Sequence, residues 1–241
     1  MEDMPRRTLG WWMTNRLTGI SSMATRQILA DLAESYEQRT GIEVAIRPMG
    51  GVEAARLVRA GEPADIIVLA SNVMEKLEAE GHIVPGTRVG FARSGIAMAI
   101  RLGAPRPNVR DEESVRQAIL DARRICYSTG PSGDHLLQLW ERWGIAETVS
   151  QRALQAPPGV PVGTLVAEGE ADLGFQQLSE LMHVPGIEIL GPLPPEIQSV
   201  TVFTAGVSGM SLQPEKAQEL LEYLTSPQAE APKRQYGMEP A

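Results

Sequence analysis

Apolar and polar positions alternate along this chain in two periods that take turns from the start. Residues 9–13 form a short apolar run that reads as a strand, and residues 14–22 are a polar, glycine-containing stretch that reads as a loop. Over residues 23–39 the apolar side chains Met23, Ile28, Leu32 and Tyr36 recur at helical spacing and stop before Gly41. The pattern continues with a strand at 42–46, a tight turn at Gly50 and Gly51, a short helix at 52–60, a strand at 65–69 and a helix at 73–80 that ends at Gly81.

From Ser94 the pattern restarts: strand 95–101, a proline-rich loop 103–108, helix 112–122, strand 125–128, loop 129–132 and a helix through Trp143. A helix at 163–168, strands at 172–176, 186–190 and 200–207, and a helix at 214–224 follow. Strands separated by helices predict a mostly parallel sheet flanked by helices, and the restart predicts two such units. The fold expected is therefore α/β and two-lobed, with crossover segments near 91–96 and 198–203. Residues 1–92 with 200–241 would form lobe 1 and residues 93–199 lobe 2.

Length supports this division, because 241 residues suit two small domains sharing a cleft. The net charge of -8, with no run of Lys or Arg, excludes nucleic acid as the partner. Cys126, the one cysteine, precludes an intrachain disulfide, and its apolar surroundings place it in a strand core. His82, His135 and His183 are isolated, and neither GxGxxG nor GxSxG occurs, so neither a metal nor a cofactor is expected. No stretch approaches the ~20 apolar residues that span a bilayer. Residues 1–7 and the run after them lack the form of an export signal, which predicts a cytoplasmic protein. A periplasmic location, with an ABC permease as partner, would require a precursor carrying a signal peptide.

In a parallel α/β sheet, ligands sit at the carboxyl ends of the strands, where helix N-termini favour an anion. Three loops rich in Ser, Thr or Gly run from strand to helix: 14–22, with Thr14, Asn15, Ser21 and Ser22; 49–51, with Gly50 and Gly51; and 129–133, with Ser132 and Gly133. Any single hydroxyl there reads first as an N-cap. Together the loops predict a small anion as ligand.

Three segments carry a family likeness. Ala-Gly-Glu-Pro-Ala-Asp at 60–65 followed by Ile-Ile-Val-Leu, Val-Ala-Glu-Gly-Glu-Ala-Asp-Leu-Gly at 166–174, and Leu-Thr-Ser-Pro-Gln-Ala at 224–229 resemble the molybdate-binding receptors of ABC importers, a branch of the type II periplasmic-binding-protein superfamily. The resemblance spans about residues 9–237 and implies that superfamily's fold. It also implies serine hydroxyls from the first two loops and a tyrosine after the strand at 172–176, but here Gly50, Gly51 and Gln177 stand at those places. An organic carboxylate is expected in place of molybdate.

The segments Gln176-Gln177, Ser179-Glu180, Val184-Pro185-Gly186 and 191–194, with Gln198, resemble a further branch, the aconitate isomerases. That likeness implies an allylic proton shift in an unsaturated di- or tricarboxylate, which needs carboxylate clamps and a group that takes and returns a proton. Arg16 and Arg93, the latter beside Ser94 at the lobe crossing, could clamp carboxylates. Asp134, His135 and Glu180 are the candidate proton carriers, although each also fits a helix surface. Gln176, Gln177 and Gln198 offer uncharged donors, and strand alternation sends the first two to opposite faces. Three functions stay open: a cytoplasmic isomerase, an importer's solute receptor, and an anion sensor without chemistry.

Overall fold

A computed structural model describes residues 15–241. The expected strand at 9–13 and the candidate Thr14 lie outside the described residues. The chain enters through β1 (Arg16–Ser22), a 3-10 turn (Met23–Thr25), α1 (Arg26–Thr40), β2 (Glu43–Met49), α2 (Gly51–Arg59), β3 (Ile66–Ala70) and α3 (Ser71–Ala79). The long β4 (Val89–Arg101) leads to α4 (Glu112–Asp121), β5 (Ile125–Tyr127), α5 (Pro131–Arg142), α6 (Ala146–Ser150), β6 (Ala153–Gln155) and α7 (Val162–Ala167). Then come β7 (Leu173–Gln177), α8 (Leu178–Leu181), β8 (Ile187–Pro192), β9 (Val200–Val207), α9 (Pro214–Leu224), α10 (Glu230–Gln235) and β10 (Glu239–Pro240).

The strand order is β2-β1-β3-β9-β4-β7-β5-β6, with β8 and β10 also on β4. Strands β2, β1 and β3 are parallel, as are β7, β5 and β6. The two long central strands run antiparallel to their neighbours and join the halves. The first half of β4 pairs with β9, from Val89↔Ala205 to Gly95↔Val200, and the second half pairs with β7 and β8.

Each half has its own core. Leu17, Leu29, Leu32, Ile66, Phe91, Phe203, Leu220 and Leu224 pack on one face of the first sheet, and Ile20, Ala54, Ile67, Leu69 and Met74 on the other. In the second half Ile96, Met98, Val115, Ile119, Leu136, Trp140 and Phe175 form the larger cluster, with Cys126, Val162 and Val166 opposite. Burying each large side chain is worth about 1.5–3 kcal/mol, and the two sets share no residue, so the fold is two-lobed. Cys126 lies in the core, where burial pushes its thiol up to about 12 and keeps it protonated.

Two expected elements are corrected. Most of the presumed loop 14–22 is the strand β1, because Ser, Thr and Gly there are strand residues buried on both faces. Gly19 shows the reason: a Cβ at this position would lie 2.9 Å from the Ile66 side chain and 3.2 Å from that of Ile46, so small residues let β2 and β3 close on β1. Strand β4 also begins six residues before the expected start at Gly95 (Val89 against Gly95), since it belongs to both sheets. No helix among the described residues is long and apolar enough to cross a membrane.

Candidate functional site

A cavity of about 590 Å³ lies between the lobes. Lobe 1 supplies Ser22, Met23 and Ala24 after β1, Arg26 and Gln27 opening α1, Gly50 to Glu53 opening α2, Leu69, Ala70, Asn72 and Val73 at the β3–α3 junction, and Phe203 of β9. From the other lobe come residues 128–132 and Asp134 at the start of α5, the loop 156–161, and Gln176, Gln177, Ser179 and Glu180 around the β7–α8 junction.

Parallel strands bring one helix start after another to this place. The starts of α1, α2, α3, α5 and α8 have no side-chain cap, as is also true of α6, α9 and α10 away from the cavity, whereas the Val162 N–H that opens α7 is taken by Gln176 Oε1 and α4 has a full capping box between Asp111 and Ser114. Uncapped first-turn N–H groups and the positive dipole end favour a negative ligand. The second lobe reaches its position through a close approach: a Cβ on Gly133 would sit 1.9 Å from the Ser128 carbonyl oxygen, so only glycine lets α5 seat against the end of β5. There the Ser128 and Ser132 hydroxyls bond each other at 2.8 Å.

Four buried side-chain polar atoms lack a hydrogen-bond partner among the described residues, and three belong to the cavity wall: Ser22 Oγ, Gln27 Oε1 and Ser179 Oγ. The fourth, Trp140 Nε1, is in the second core. Buried polar groups are normally satisfied, so three orphans around one cavity are places where a polar ligand or water would complete the bonding.

Charge is sparse. Arg26 has no ion-pair partner among the described residues, while Glu53 is held by Arg56 at 2.7 Å. Glu180 opens partly on the cavity and accepts a 2.9 Å hydrogen bond from Gln176 Nε2. Burial pushes its carboxyl up from 4.5 to about 7, against the opposing pull of Gln176 and the Arg26 charge. A folded-state value raised in this way means that the folded chain holds a proton between pH 4.5 and 7 that the unfolded chain has released. Stability from this group is full below about pH 4.5 and falls as pH rises toward 7. The whole span corresponds to about 3 kcal/mol, less for a carboxyl that reaches water. Glu180→Gln is therefore expected to gain stability over the parent as pH rises from 4.5 to 7.5, measured as the difference in Tm. A pH-independent difference would contradict the raised value.

Of the residues singled out from the sequence, Ser22, Gly50, Gly51, Ser132, Asp134, Gln176, Gln177 and Glu180 line the cavity. Asn15 and Arg16 do not: they lie at the opposite end of β1, where Asn15 donates to the Gly41 carbonyl and Arg16 pairs with Glu43 at 3.2 Å. Ser21 faces away and donates to the Ser22 carbonyl. Arg93 is exposed on β4 opposite Glu239, and Ser94 is buried in the β4–β9 ladder. Gly133, in the first turn of α5, faces the Ser128 carbonyl, and His135 bonds the Ile197 carbonyl at 2.7 Å, outside the cavity wall. Gln198 is consumed by backbone, accepting from Ile96 N–H at 2.8 Å and donating to the Ile96 carbonyl at 3.0 Å.

The paired glutamines both border the cavity but turn to different partners. Gln176 turns to Glu180 and to the Val162 N–H, whereas Gln177 turns to the crossing strands. With its amide oriented so that oxygen and nitrogen are both satisfied, Gln177 donates to the Ser94 and Gly95 carbonyls at 3.0 and 3.3 Å and accepts from Thr201 at 2.8 Å. The opposite orientation sets its oxygen against those two carbonyls. Arg26, Gln27, Asn72, Ser128, Ser179 and Phe203 were missed. Once β1 is seen to end at Ser22, Arg26 falls in the opening turn of the next helix, which was the available signal. No group of three or more His, Cys, Asp or Glu side chains suited to a metal occurs among the described residues.

Two lobes joined by two long strands, with helix starts converging on the cleft between them, define a binding protein of the periplasmic type II architecture. The chain belongs to the bacterial extracellular solute-binding protein family, whose model matches residues 17–239. It is 37% identical over 231 residues to a Pseudomonas protein named aconitate isomerase, covering 93% of this chain and 87% of that one. It is 26% identical over 222 residues to the molybdate-binding protein ModA of Azotobacter vinelandii, covering 87% and 84%. The solved periplasmic molybdate-binding protein of the same organism superposes with a TM-score of 0.77 at 22% identity, over 92% of this chain and 98% of the other, a likeness in fold.

Proposed function

We propose that the cavity binds a small organic polycarboxylate and that the protein isomerises it by an allylic proton shift. The observation that carries this reading is Glu180, a carboxyl held near neutrality on the wall of an anion-favouring cleft. A proton carrier is most effective when its pKa lies near the working pH. As carboxylate, Glu180 removes a proton from the substrate's CH2 group, and the electron pair spreads over the allylic system into a neighbouring carboxylate. The resulting carboxyl then returns the proton to the far carbon, so the double bond moves and no atom is gained or lost.

The Arg26 side chain and the first-turn N–H groups of α2 and α5 are suited to the substrate carboxylates, with Ser22 and Ser179 as further donors. Phe203, Leu69 and the proline-rich loop 156–161 offer apolar surface to the hydrocarbon part. The cavity falls within the ~300–1,000 Å³ range of organic-ligand sites. A Cβ added at Gly50 or Gly51 would meet nothing within 4 Å, so space is left where the molybdate receptors carry hydroxyls. The 37% identity to aconitate isomerase supports the same direction. We place the lobe boundaries at 1–92 with 200–241 and at 93–199, with β4 and β9 as the flexing connection for closure on the ligand.

The second reading is a solute receptor delivering to an ABC permease, favoured by the family match and the likeness to ModA. Thermal-shift measurements with molybdate, sulfate and a series of di- and tricarboxylates, followed by proton NMR of the protein with trans-aconitate, separate the two. Stabilisation by a polycarboxylate with conversion of its vinyl and methylene signals is expected. Stabilisation without conversion would replace the isomerase by the receptor, and stabilisation by molybdate alone would overturn the choice of ligand.

A further inference from the structure

The hydrogen-bond chain behind Glu180 has a direction. Gln176, only 4% exposed, ends neither free nor paired to a single neighbour: its Oε1 accepts from the Val162 N–H at 3.0 Å, and its Nε2 donates to Glu180 Oε1 at 2.9 Å. A backbone N–H can only donate, so it takes the amide oxygen and leaves the amide nitrogen for Glu180. An amide N–H can only donate in turn, so Glu180 Oε1 accepts, and because a carbonyl-type oxygen accepts better than a hydroxyl oxygen, this bond favours the proton on Oε2. Oε2 makes no hydrogen bond with a described residue and opens on the cavity.

We propose that Gln176 is a positioning residue that makes Glu180 a proton carrier through one oxygen, presenting the mobile proton on Oε2 toward the ligand. The role rests on the isomerase reading for its use in turnover, while the arrangement itself can be tested without turnover. Val162 is the first residue of α7 and directly follows the 156–161 loop of the cavity wall, so the chain Val162–Gln176–Glu180 ties the carrier to that wall. Among neighbouring charged groups Arg26 acts on Glu180. Strand β7, α7 and the turn Met23–Thr25 bring no charged residue, and on β4 Arg93 is exposed opposite Glu239 while Arg101 lies at the far end of the strand.

The experiment is a 13C-carboxyl NMR titration of the full chain, with Glu180 assigned through Glu180→Gln, in the parent and in Gln176→Met. Methionine fills the space but neither donates nor accepts as the amide does. The Glu180 midpoint is expected to rise by about one pH unit in Gln176→Met, because a hydrogen bond to the charged form has been lost. The acid limb of kcat against pH should move with it, kcat at pH 7 falling about fivefold as the ionised fraction drops and KM changing by less than about twofold. Val162→Pro is the second variant. It removes the N–H that orients the amide, at a first helical position that accepts proline, and is expected to raise the midpoint in the same direction. An unmoved midpoint in whichever of the two variants folds overturns the positioning role. A moved midpoint in a protein that converts no polycarboxylate keeps the positioning role and removes the isomerase.

Discussion

Glu180→Gln is expected to reduce turnover of the polycarboxylate by about 10²–10⁴-fold, the usual loss when a positioned proton carrier is removed. The substitution conserves volume, and the new side-chain oxygen can still accept from Gln176 Nε2, so the β7–α8 junction should keep its geometry. Binding should persist, because the donors suited to carboxylates are on other residues. Neutralising an acid that faces an anionic ligand favours the complex, so affinity measured calorimetrically above pH 7 should be equal or higher. Proton NMR of the variant with trans-aconitate supplies the turnover measurement. Turnover within tenfold of the parent would remove Glu180 from the mechanism.

Arg26→Met is expected to weaken polycarboxylate binding by about 10–100-fold, since a charge-assisted hydrogen bond contributes roughly 1.5–3 kcal/mol. Arg26 is exposed, pairs with no acid among the described residues and opens α1, so its loss should leave Tm without ligand little changed. The same change withdraws the positive charge that lowers the Glu180 carboxyl, and the acid limb of the pH profile should move upward. Titration calorimetry with a tricarboxylate and with its monocarboxylate analogue gives the decisive contrast. An equal loss for both acids supports a single guanidinium–carboxylate contact. Unchanged affinity for both would place the carboxylates elsewhere.

Much of the site could be read before the fold was known, but not its assignments. The loop at Gly50 and Gly51 and the one at Ser132 do line the cavity, and Glu180 and Asp134 face it. Arg16, Arg93 and Gln198 did not come to the cavity, and each for a physical reason. Arg16 is six residues from Ser22 along an extended strand, which at ~3.3 Å per residue puts it at the far end of the sheet. Arg93 has its place in a strand shared by both sheets, so its side chain goes where the pleat sends it. Gln198 is the length of side chain that satisfies the Ile96 backbone at the crossing, and no sequence rule distinguishes that use from ligand binding.

By itself, the order of apolar runs determined the two-lobed α/β architecture, the helix at Pro214–Leu224 to the residue, and the absence of cysteine-based or histidine-based chemistry as an expectation. These follow from short-range periodicity, which local sequence carries. Tertiary structure alone decided that Ser, Thr and Gly of β1 form a central strand, because that depends on how closely Ile46 and Ile66 approach Gly19. It alone brought Arg26 of one lobe within reach of Glu180 of the other. It also decided which of two adjacent glutamines serves the carboxyl and which ties the crossing strands, since burial and hydrogen-bond direction are properties of the neighbours that folding assembles.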